Sequence, residues 1–232
     1  MLNKIKNELL LLGDSERAKK LSSFFKTGKG EYGEGDLFLG IPVPQQRKIA
    51  KRYTDLSLDQ LKKLLSSKFH EFRLTALIIL VLKYGKADNS GKKEIFDFYL
   101  KNTEFINNWD LVDLTSPKIM GDFLSNRERS ILFELVNSDN LWERRIAVLA
   151  TFYFIRNDDF EDAINISRLL ITDDHDLIHK AVGWMLREIG KRDENTLKKF
   201  LNKYYKQMPR TMLRYSIEKL NKEERKHYLN KQ

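Results

Sequence analysis

The chain has 232 residues, and its composition of 41% apolar and 32% charged residues excludes an intrinsically disordered polypeptide. It contains 42 lysines and arginines against 33 acidic residues, and the net charge of +9 favours a polyanionic partner such as nucleic acid. The absence of cysteine excludes disulfides, thiolate metal sites and cysteine nucleophiles. The length fits one domain or two small ones, and we predict a single domain over residues 1–232.

The N-terminal segment contains only a four-leucine apolar run, within MLNKIKNELLLLGDSERAKK. A secretory signal has a longer apolar core and a small-residue cleavage site. No stretch of the sequence approaches the roughly 18 apolar residues of a membrane span. Together with the lack of cysteine, these features favour a cytoplasmic protein without a membrane partner.

A glycine-rich stretch, TGKGEYGEGDLFLGIP, occupies residues 27–42. It resembles a phosphate-binding loop at first sight, but it lacks the Gly-Lys-Ser/Thr ending and no predicted strand precedes it. We therefore predict a flexible connector between the first helices and no nucleotide site.

The rest of the chain has the apolar spacing of helices. Apolar residues recur three and four positions apart in residues 72–86, 144–156 and 178–191, and each segment ends near Gly, Lys or Arg. Only four prolines and 11 glycines interrupt the sequence, and strand-like alternation is scarce. These features predict an all-α protein.

The apolar helices also recur with a nearly constant spacing. Equivalent positions near the helix starts are Arg73, Trp109, Arg145, Lys180 and Arg214, which lie 36, 36, 35 and 34 residues apart. Such a period, with two helices in each repeat, predicts an α-solenoid of HEAT- or armadillo-like repeats. Stacked repeats would align these positions as a basic row with one aromatic residue. Chance register among amphipathic helices is the alternative explanation.

The segment NNWDLVDLTSPKIMG, residues 107–121, places carboxylates in an otherwise apolar helix. Trp109 and Asp113 are four residues apart and therefore share one helix face. We predict that Asn108 caps the helix and that Asp110 lies in its first turn, where negative charge is favourable. For Asp113, a salt bridge to an arginine at 144 or 145 is the alternative to a functional role.

A carboxylate beside an indole on a polyanion-binding surface has a specific chemical use. Cleavage of an N-glycosidic bond builds positive charge on the sugar, which a carboxylate and an aromatic face both stabilise. A base that is already cationic through alkylation leaves without a general acid. One aspartate would then suffice, and the sequence offers no obvious catalytic histidine or second paired carboxylate.

The segment DDHDLIH, residues 173–179, has two histidines four positions apart, a spacing that can bind zinc on one helix face. No glutamate follows His175, and the segment has the composition of an inter-helix turn. The other two histidines, His70 and His227, are distant in sequence. We predict an N-capped turn before the next helix and no metal site.

Several motifs of the chain resemble those of the AlkD-like DNA alkylation repair glycosylases. The resemblance is carried by residues 37–51 (LFLGIPVPQQRKIAK), 107–122 (NNWDLVDLTSPKIMGD), 138–152 (SDNLWERRIAVLATF) and 179–191 (HKAVGWMLREIGK), in the family's order. It implies HEAT-like repeats with a basic concave face that holds duplex DNA. It also implies excision of cationic N-alkylated purines such as 3-methyladenine and 7-methylguanine. We predict a monomer that needs no metal or organic cofactor. Localisation would be cytoplasmic, with the protein on the nucleoid when bound to DNA.

The resemblance also implies roles for individual residues. Asp113 would be the catalytic carboxylate and Trp109 would contact the lesion nucleotide. Arg145 would bind the DNA backbone at the lesion, and Trp184 would be the second aromatic of the site. The residues predicted to contact DNA elsewhere are Arg144, Lys180, Arg187, Arg210, Arg214 and Phe24.

The chain departs from the family pattern at two places. Asn108 stands where an aromatic residue often precedes the motif tryptophan, and Phe24 is the nearest counterpart of a tyrosine in the N-terminal helix. The glycine-rich loop is also larger than in the family pattern. Trp142, at the start of an apolar helix, is predicted to be a core residue.

Other functions fit parts of the same sequence. A helical-repeat protein can be a non-catalytic scaffold for proteins or nucleic acid. A nuclease would need a carboxylate cluster around Mg²⁺, and a lyase would need an amine nucleophile.

Overall fold

The structure is a computed structural model that describes residues 1–230. Within that range the chain is almost entirely helical, and the only extended pairing is an isolated parallel bridge between Leu37 and Phe69. The predicted all-α class is therefore confirmed. The helices in chain order are α1 (Leu2–Leu11), α2 (Ser15–Phe24), α3 (Val43–Arg52), α4 (Leu58–Leu65), α5 (His70–Tyr84), α6 (Asn89–Leu100), α7 (Trp109–Ser116), α8 (Asp122–Leu124), α9 (Ser130–Val136), α10 (Leu141–Arg156), α11 (Glu161–Leu169), α12 (Asp176–Gly190), α13 (Glu194–Tyr204), α14 (Arg210–Ser216) and α15 (Lys222–Asn230).

Two short helical segments of other types complete the chain. A 3₁₀ helix covers Thr103–Phe105, and a π-helical turn covers Pro117–Gly121 between α7 and α8. None of the helices formed by residues 1–230 is both long and apolar enough to cross a bilayer.

The described residues group into two compact units. Unit 1 runs from Met1 to Thr115, and unit 2 begins at Ser116. In unit 1, helices α1, α3, α4 and α6 pack against α5. In unit 2, α10 packs against the π-helical turn, α9, α11 and α12, and α12 packs against α13 and α14. Each unit therefore has one central apolar helix that its sequence neighbours cover.

The central helix of each unit is apolar on nearly every side. In α5 every residue from His70 to Leu80 is buried, and in α10 every residue from Arg145 to Thr151 is buried. A helix that is apolar all round is typical of a core position. Trp142 is also buried, as the sequence predicts.

The start of α12 confirms the predicted capped turn. His175 is the N-cap residue, and its Nδ1 accepts a hydrogen bond of 3.1 Å from the backbone N–H of Leu177. The glycine-rich residues 27–36 form turns between α2 and α3, which confirms the predicted connector.

The five repeat positions all lie in the first two turns of a helix, in α5, α7, α10, α12 and α14. The predicted row of basic side chains is wrong at its first position, and its third position, Arg145, is also buried. Arg73 is 3% exposed, and its guanidinium donates to the carboxylate of Asp36 at 2.5 Å and to the carbonyl of Ser67 at 2.9 Å. These hydrogen bonds hold the side chain of Arg73 inside unit 1, where it is not accessible to a polyanion.

Gly183 allows α12 and α14 to approach closely. A Cβ atom at this position would lie 2.5 Å from the Cβ of Tyr215 and 2.6 Å from the carbonyl oxygen of Met212. Real Cβ atoms do not make contacts this short, so the glycine of the K-A-x-G-W motif has a packing role.

We expect Gly183→Ala to lower the free energy of unfolding by about 1–3 kcal/mol, because the added methyl forces the two helices apart. Urea denaturation of wild type and variant measures this change. Gly85→Ala is the control, since Gly85 has φ −65° and its added methyl would lie 3.6 Å from the nearest atom. Equal stability of Gly183→Ala and wild type would contradict the close approach of α12 and α14.

Candidate functional site

The W-D-x-V-D motif forms the N-terminal part of α7. The side-chain oxygen of Asn108 accepts a hydrogen bond of 2.8 Å from the backbone N–H of Trp109, the first residue of the helix. Leu111 and Val112 are fully buried, whereas Trp109 and Asp113 are partly exposed. The helix therefore buries its apolar side and leaves the Trp109–Asp113 face partly accessible to solvent.

Residues of the N-terminal segment hold the indole of Trp109. The ring of Phe25 stacks on it with a centroid distance of 5.2 Å and an interplanar angle of 24°. The indole N–H donates to the hydroxyl oxygen of Tyr32, with 3.3 Å between the two heavy atoms. Phe24 lies edge-on at 6.0 Å and is 63% exposed. Phe24, predicted to contact DNA, is therefore an exposed neighbour of the motif tryptophan.

Asp110 lies in the first turn of α7, as predicted, but its carboxylate has a partner that the sequence does not reveal. Its Oδ2 lies 2.8 Å from the Nε2 of His70, the first residue of α5. The ring of His70 packs against the rings of Phe25, at 5.0 Å, and Phe38, at 4.7 Å. His70 thus supports both the motif helix and the ring that stacks on Trp109.

A second carboxylate completes this buried polar cluster. The Oδ2 of Asp36 lies 3.6 Å from the Nδ1 of His70 and also accepts the hydrogen bond from Arg73. Burial lowers the pKa of His70, but hydrogen bonds to Asp110 and Asp36 outweigh this effect and raise the pKa above its ordinary value of 6.5. The imidazolium form therefore stabilises the folded state.

The segment after the glycine-rich loop is fixed by Glu71. Its buried carboxylate accepts backbone hydrogen bonds from Leu39, Gly40 and Ile41 at 2.9, 2.7 and 3.2 Å. Gly40 has φ +84°, a conformation that favours glycine, and a Cβ there would lie 2.2 Å from the carbonyl oxygen of Asp14. The L-G-I-P signature therefore anchors the end of the loop that carries Tyr32.

The W-x-x-R motif places two arginines near the start of α10. The Nε of Arg144 pairs with Asp173 at 2.7 Å, and its Nη1 donates to the carbonyl of Ser138 at 2.9 Å. Arg145 is 5% exposed, and its Nη1 donates to the carbonyl oxygen of Leu177 at 2.6 Å. Both predicted DNA contacts therefore also join α10 to the segment around the start of α12.

The K-A-x-G-W-x-L-R motif lies on α12. Trp184 is partly exposed, its indole N–H donates to Glu188 at 3.1 Å, and its ring lies 5.7 Å from that of Phe152. Arg187 forms an ion pair with Glu218. The other predicted cation of this helix, Lys180, pairs with Asp176 at 2.7 Å.

The remaining predicted cations lie on α14. Arg210 and Arg214 are both exposed and lie four residues apart. The Nη1 of Arg210 donates to the carbonyl oxygen of Leu229 at 3.1 Å.

The predicted absence of a metal site concerns mainly His175 and His179. The first caps α12, and the Nε2 of the second forms a hydrogen bond with the carbonyl of Asp173. Residues 1–230 contain no group of three or more histidine, aspartate or glutamate side chains placed to hold a metal ion.

Sequence reasoning missed Tyr32, Phe25 and His70. A tyrosine inside a glycine-rich loop was the available signal for the first of these. No local pattern connects His70 with Asp110, because 40 residues separate them.

Comparisons with known proteins identify the family and support the fold. A family model described as "DNA alkylation repair enzyme" matches residues 5–220. Among solved structures, a predicted DNA alkylation repair enzyme from Enterococcus faecalis is 17% identical with a TM-score of 0.69, and the match covers 90% of this chain and 97% of that one.

Two proteins of Streptococcus mutans are also similar. AlkD2 is 18% identical with a TM-score of 0.57 and coverage of 89% and 99%, and smu.31 of strain UA159 is 19% identical with a TM-score of 0.55 and coverage of 87% and 94%. At these identities the likeness shows a shared fold. The comparison with curated proteins gives no match.

The buried His70 predicts a pH-dependent stability. Its pKa is raised in the folded state, so its contribution is fully present below about pH 6.5 and is lost as the pH rises through the folded-state pKa. We expect His70→Gln to destabilise the protein more at pH 5.5 than at pH 8.5. Urea denaturation across this range measures the difference.

The control for this experiment is His227→Gln, which changes an exposed histidine on α15. A wild-type-minus-variant difference that is the same at every pH would show that His70 is not protonated between Asp36 and Asp110.

Proposed function

The chain belongs to the family of DNA alkylation repair enzymes, and we propose that it is a DNA glycosylase acting on cationic N-alkylated purines. A role in the repair of alkylated DNA follows from the family. The proposal names the bond and the bases, namely the N-glycosidic bond of 3-methyladenine and 7-methylguanine in duplex DNA. The observation that carries it is the position of Asp113, a partly exposed residue, one helical turn from the supported indole of Trp109.

Cleavage of the glycosidic bond to a cationic base requires few groups from the protein. As the bond between C1′ and the base nitrogen breaks, its electron pair moves to the base and neutralises the cationic purine. Positive charge develops on the sugar, and the carboxylate of Asp113 stabilises it. A water oxygen then bonds to C1′ and releases its proton to the carboxylate or to solvent. The step needs no general acid and no cofactor.

Trp109 meets the lesion through its aromatic face. Phe25 covers one face of the indole, and Tyr32 accepts the only hydrogen bond that the indole can donate. A cationic base or sugar is attracted to the electron-rich face of an aromatic ring. The support of Trp109 thus favours a substrate that carries positive charge.

The surplus of basic residues supports binding to the DNA backbone. With a net charge of +9, the protein gains affinity from phosphate neutralisation, and this gain falls steeply with salt. We propose Arg145, Trp184 and Arg187 as DNA contacts on the basis of their motifs, and we propose a monomer. The carboxylates that already pair with Arg144, Arg187 and Lys180 would compete with phosphate for these cations.

The first test of the proposal is Asp113→Asn. We expect wild type to release 7-methylguanine and 3-methyladenine from methylated duplex DNA in the presence of a chelator. The variant should be slower by roughly 10²–10³-fold, since it loses a charge that acts on the transition state. Its affinity for DNA should be equal or higher, because an acidic group is removed. Chromatography of released bases and fluorescence anisotropy measure the two quantities.

Asp97→Asn is the matched control, because Asp97 is a 41% exposed aspartate of unit 1 that lies on α6 and pairs with Lys93. It should release bases as wild type does. A wild-type protein that binds duplex DNA but releases no base would instead be a non-catalytic helical-repeat scaffold. Borohydride trapping of a protein–DNA adduct would indicate a lyase.

A second test concerns Tyr32, which we propose as a positioning residue for Trp109. Tyr32→Phe keeps the ring and removes the oxygen that accepts the indole hydrogen bond. We expect base release under single-turnover conditions to slow by roughly 5- to 10-fold, equivalent to about 1 kcal/mol of lost hydrogen bonding, with little change in DNA affinity. An unchanged rate would show that this hydrogen bond does not orient Trp109 for the reaction.

A further inference from the structure

A cavity of about 510 Å³, open to solvent, lies between α14 and α15, the last two described helices. Three arginines line it: Arg210 and Arg214 from α14, and Arg225 from α15. The side chain of Tyr215 also lines the cavity, and 37% of this residue is exposed. Among residues 1–230, Glu218 supplies the single carboxylate of the lining.

Two of these arginines differ from several other arginines of unit 2. Arg129, Arg144 and Arg192 each pair with at least one aspartate. Among residues 1–230, by contrast, neither the side chain of Arg214 nor that of Arg225 has a hydrogen-bond acceptor or a carboxylate partner.

Glu218 does not neutralise the cavity, because it has other partners. Its carboxylate pairs with Lys219 at 3.1 Å and with Arg187, and these two cations lower its pKa. Neither of them lines the cavity. The lining therefore keeps an excess of positive charge that an anion can offset.

We propose that this cavity binds phosphodiester groups of the DNA backbone. A guanidinium presents a planar fork of donors that matches phosphate oxygens. Arg210 and Arg214 are four residues apart, about 6 Å along the helix, and DNA carries one phosphate per 3.4 Å of axis on each strand. The inference rests on the proposed function in taking DNA as the polyanion, and it adds Arg225 as a contact that no motif indicates.

The openness of the site fits a chain of phosphates. A cavity between two surface helices admits a continuous backbone, and the partly exposed Tyr215 offers an apolar surface to the sugars. A phosphate monoester presents the same oxygen acceptors, so the experiment must separate it from DNA.

The test uses the double variant Arg214→Gln/Arg225→Gln in the full chain, with circular dichroism as the check of folding. Arg210 is kept, because it donates to the carbonyl of Leu229 and helps to hold the two helices together. Binding of unmethylated duplex DNA is measured by anisotropy over a series of KCl concentrations. Loss of two phosphate contacts should reduce the slope of log K against log salt by about 1.8, which is about 0.9 per contact.

Arg168→Gln is the matched control, because Arg168 is an exposed arginine of unit 2 on α11 that does not line the cavity. Its salt slope should stay close to that of wild type. A folded double variant with the wild-type slope would overturn the inference.

A chemical protection experiment on the wild-type protein tests the same assignment. Saturating duplex DNA should reduce the modification of Arg214 and Arg225 by phenylglyoxal at least twofold, as read by peptide mass spectrometry, and should leave Arg168 unprotected. Protection by millimolar inorganic phosphate or a nucleoside monophosphate, without protection by duplex DNA, would overturn the inference in favour of a monoester site.

Base release separates this inference from the proposed function. If wild type binds DNA with the cavity-dependent salt slope but releases no base from methylated duplex, the glycosylase proposal fails and the cavity assignment stands. If wild type releases bases and the double variant keeps its salt slope, the cavity assignment fails alone.

Discussion

The hydrogen bond between His70 and Asp110 is the interaction on which the candidate site depends. It joins the first residue of α5, the central helix of unit 1, to the first turn of α7, which presents Trp109 and Asp113. The same imidazole packs against Phe25, the ring that stacks on Trp109. A buried ion pair contributes little net stability, but loss of one partner leaves an uncompensated charge. The main effect of the cluster is therefore to fix the position of α7 relative to α5.

The fold could be predicted from the sequence because its signals are local. Apolar spacing placed helices over residues 72–86, 144–156 and 178–191, and α5, α10 and α12 cover nearly these ranges. The cap of α12 and the loop over residues 27–36 followed from residue type alone. The constant spacing of the helix starts predicted repeats, since each repeat contacts mainly its neighbours.

The candidate site was less predictable because its contacts are distant in sequence. Tyr32 and Trp109 are 77 residues apart, and Asp36 and Arg73 are 37 apart. The same reason explains why the predicted row of basic side chains is wrong at Arg73. The sequence shows that a repeat position is basic, but it does not show whether a distant carboxylate already neutralises the side chain. Asp173, about 30 residues from Arg144, is such a carboxylate. Net charge predicts a polyanionic partner, whereas the distribution of pairs decides which cations can meet one.

The support of Trp109 gives the strongest physical reason for selectivity towards cationic bases. Its N–H is bound by Tyr32 and one face is covered by Phe25, so the indole offers a substrate its π-system and no hydrogen bond. A neutral purine gains little from such a surface beyond stacking, whereas a cation gains electrostatic attraction as well. The carboxylate one turn away favours the same sign of charge on the sugar. Ring and carboxylate therefore discriminate on charge, and a cationic base is also the leaving group that needs no acid. One helix turn thus couples recognition of the lesion to cleavage of its bond.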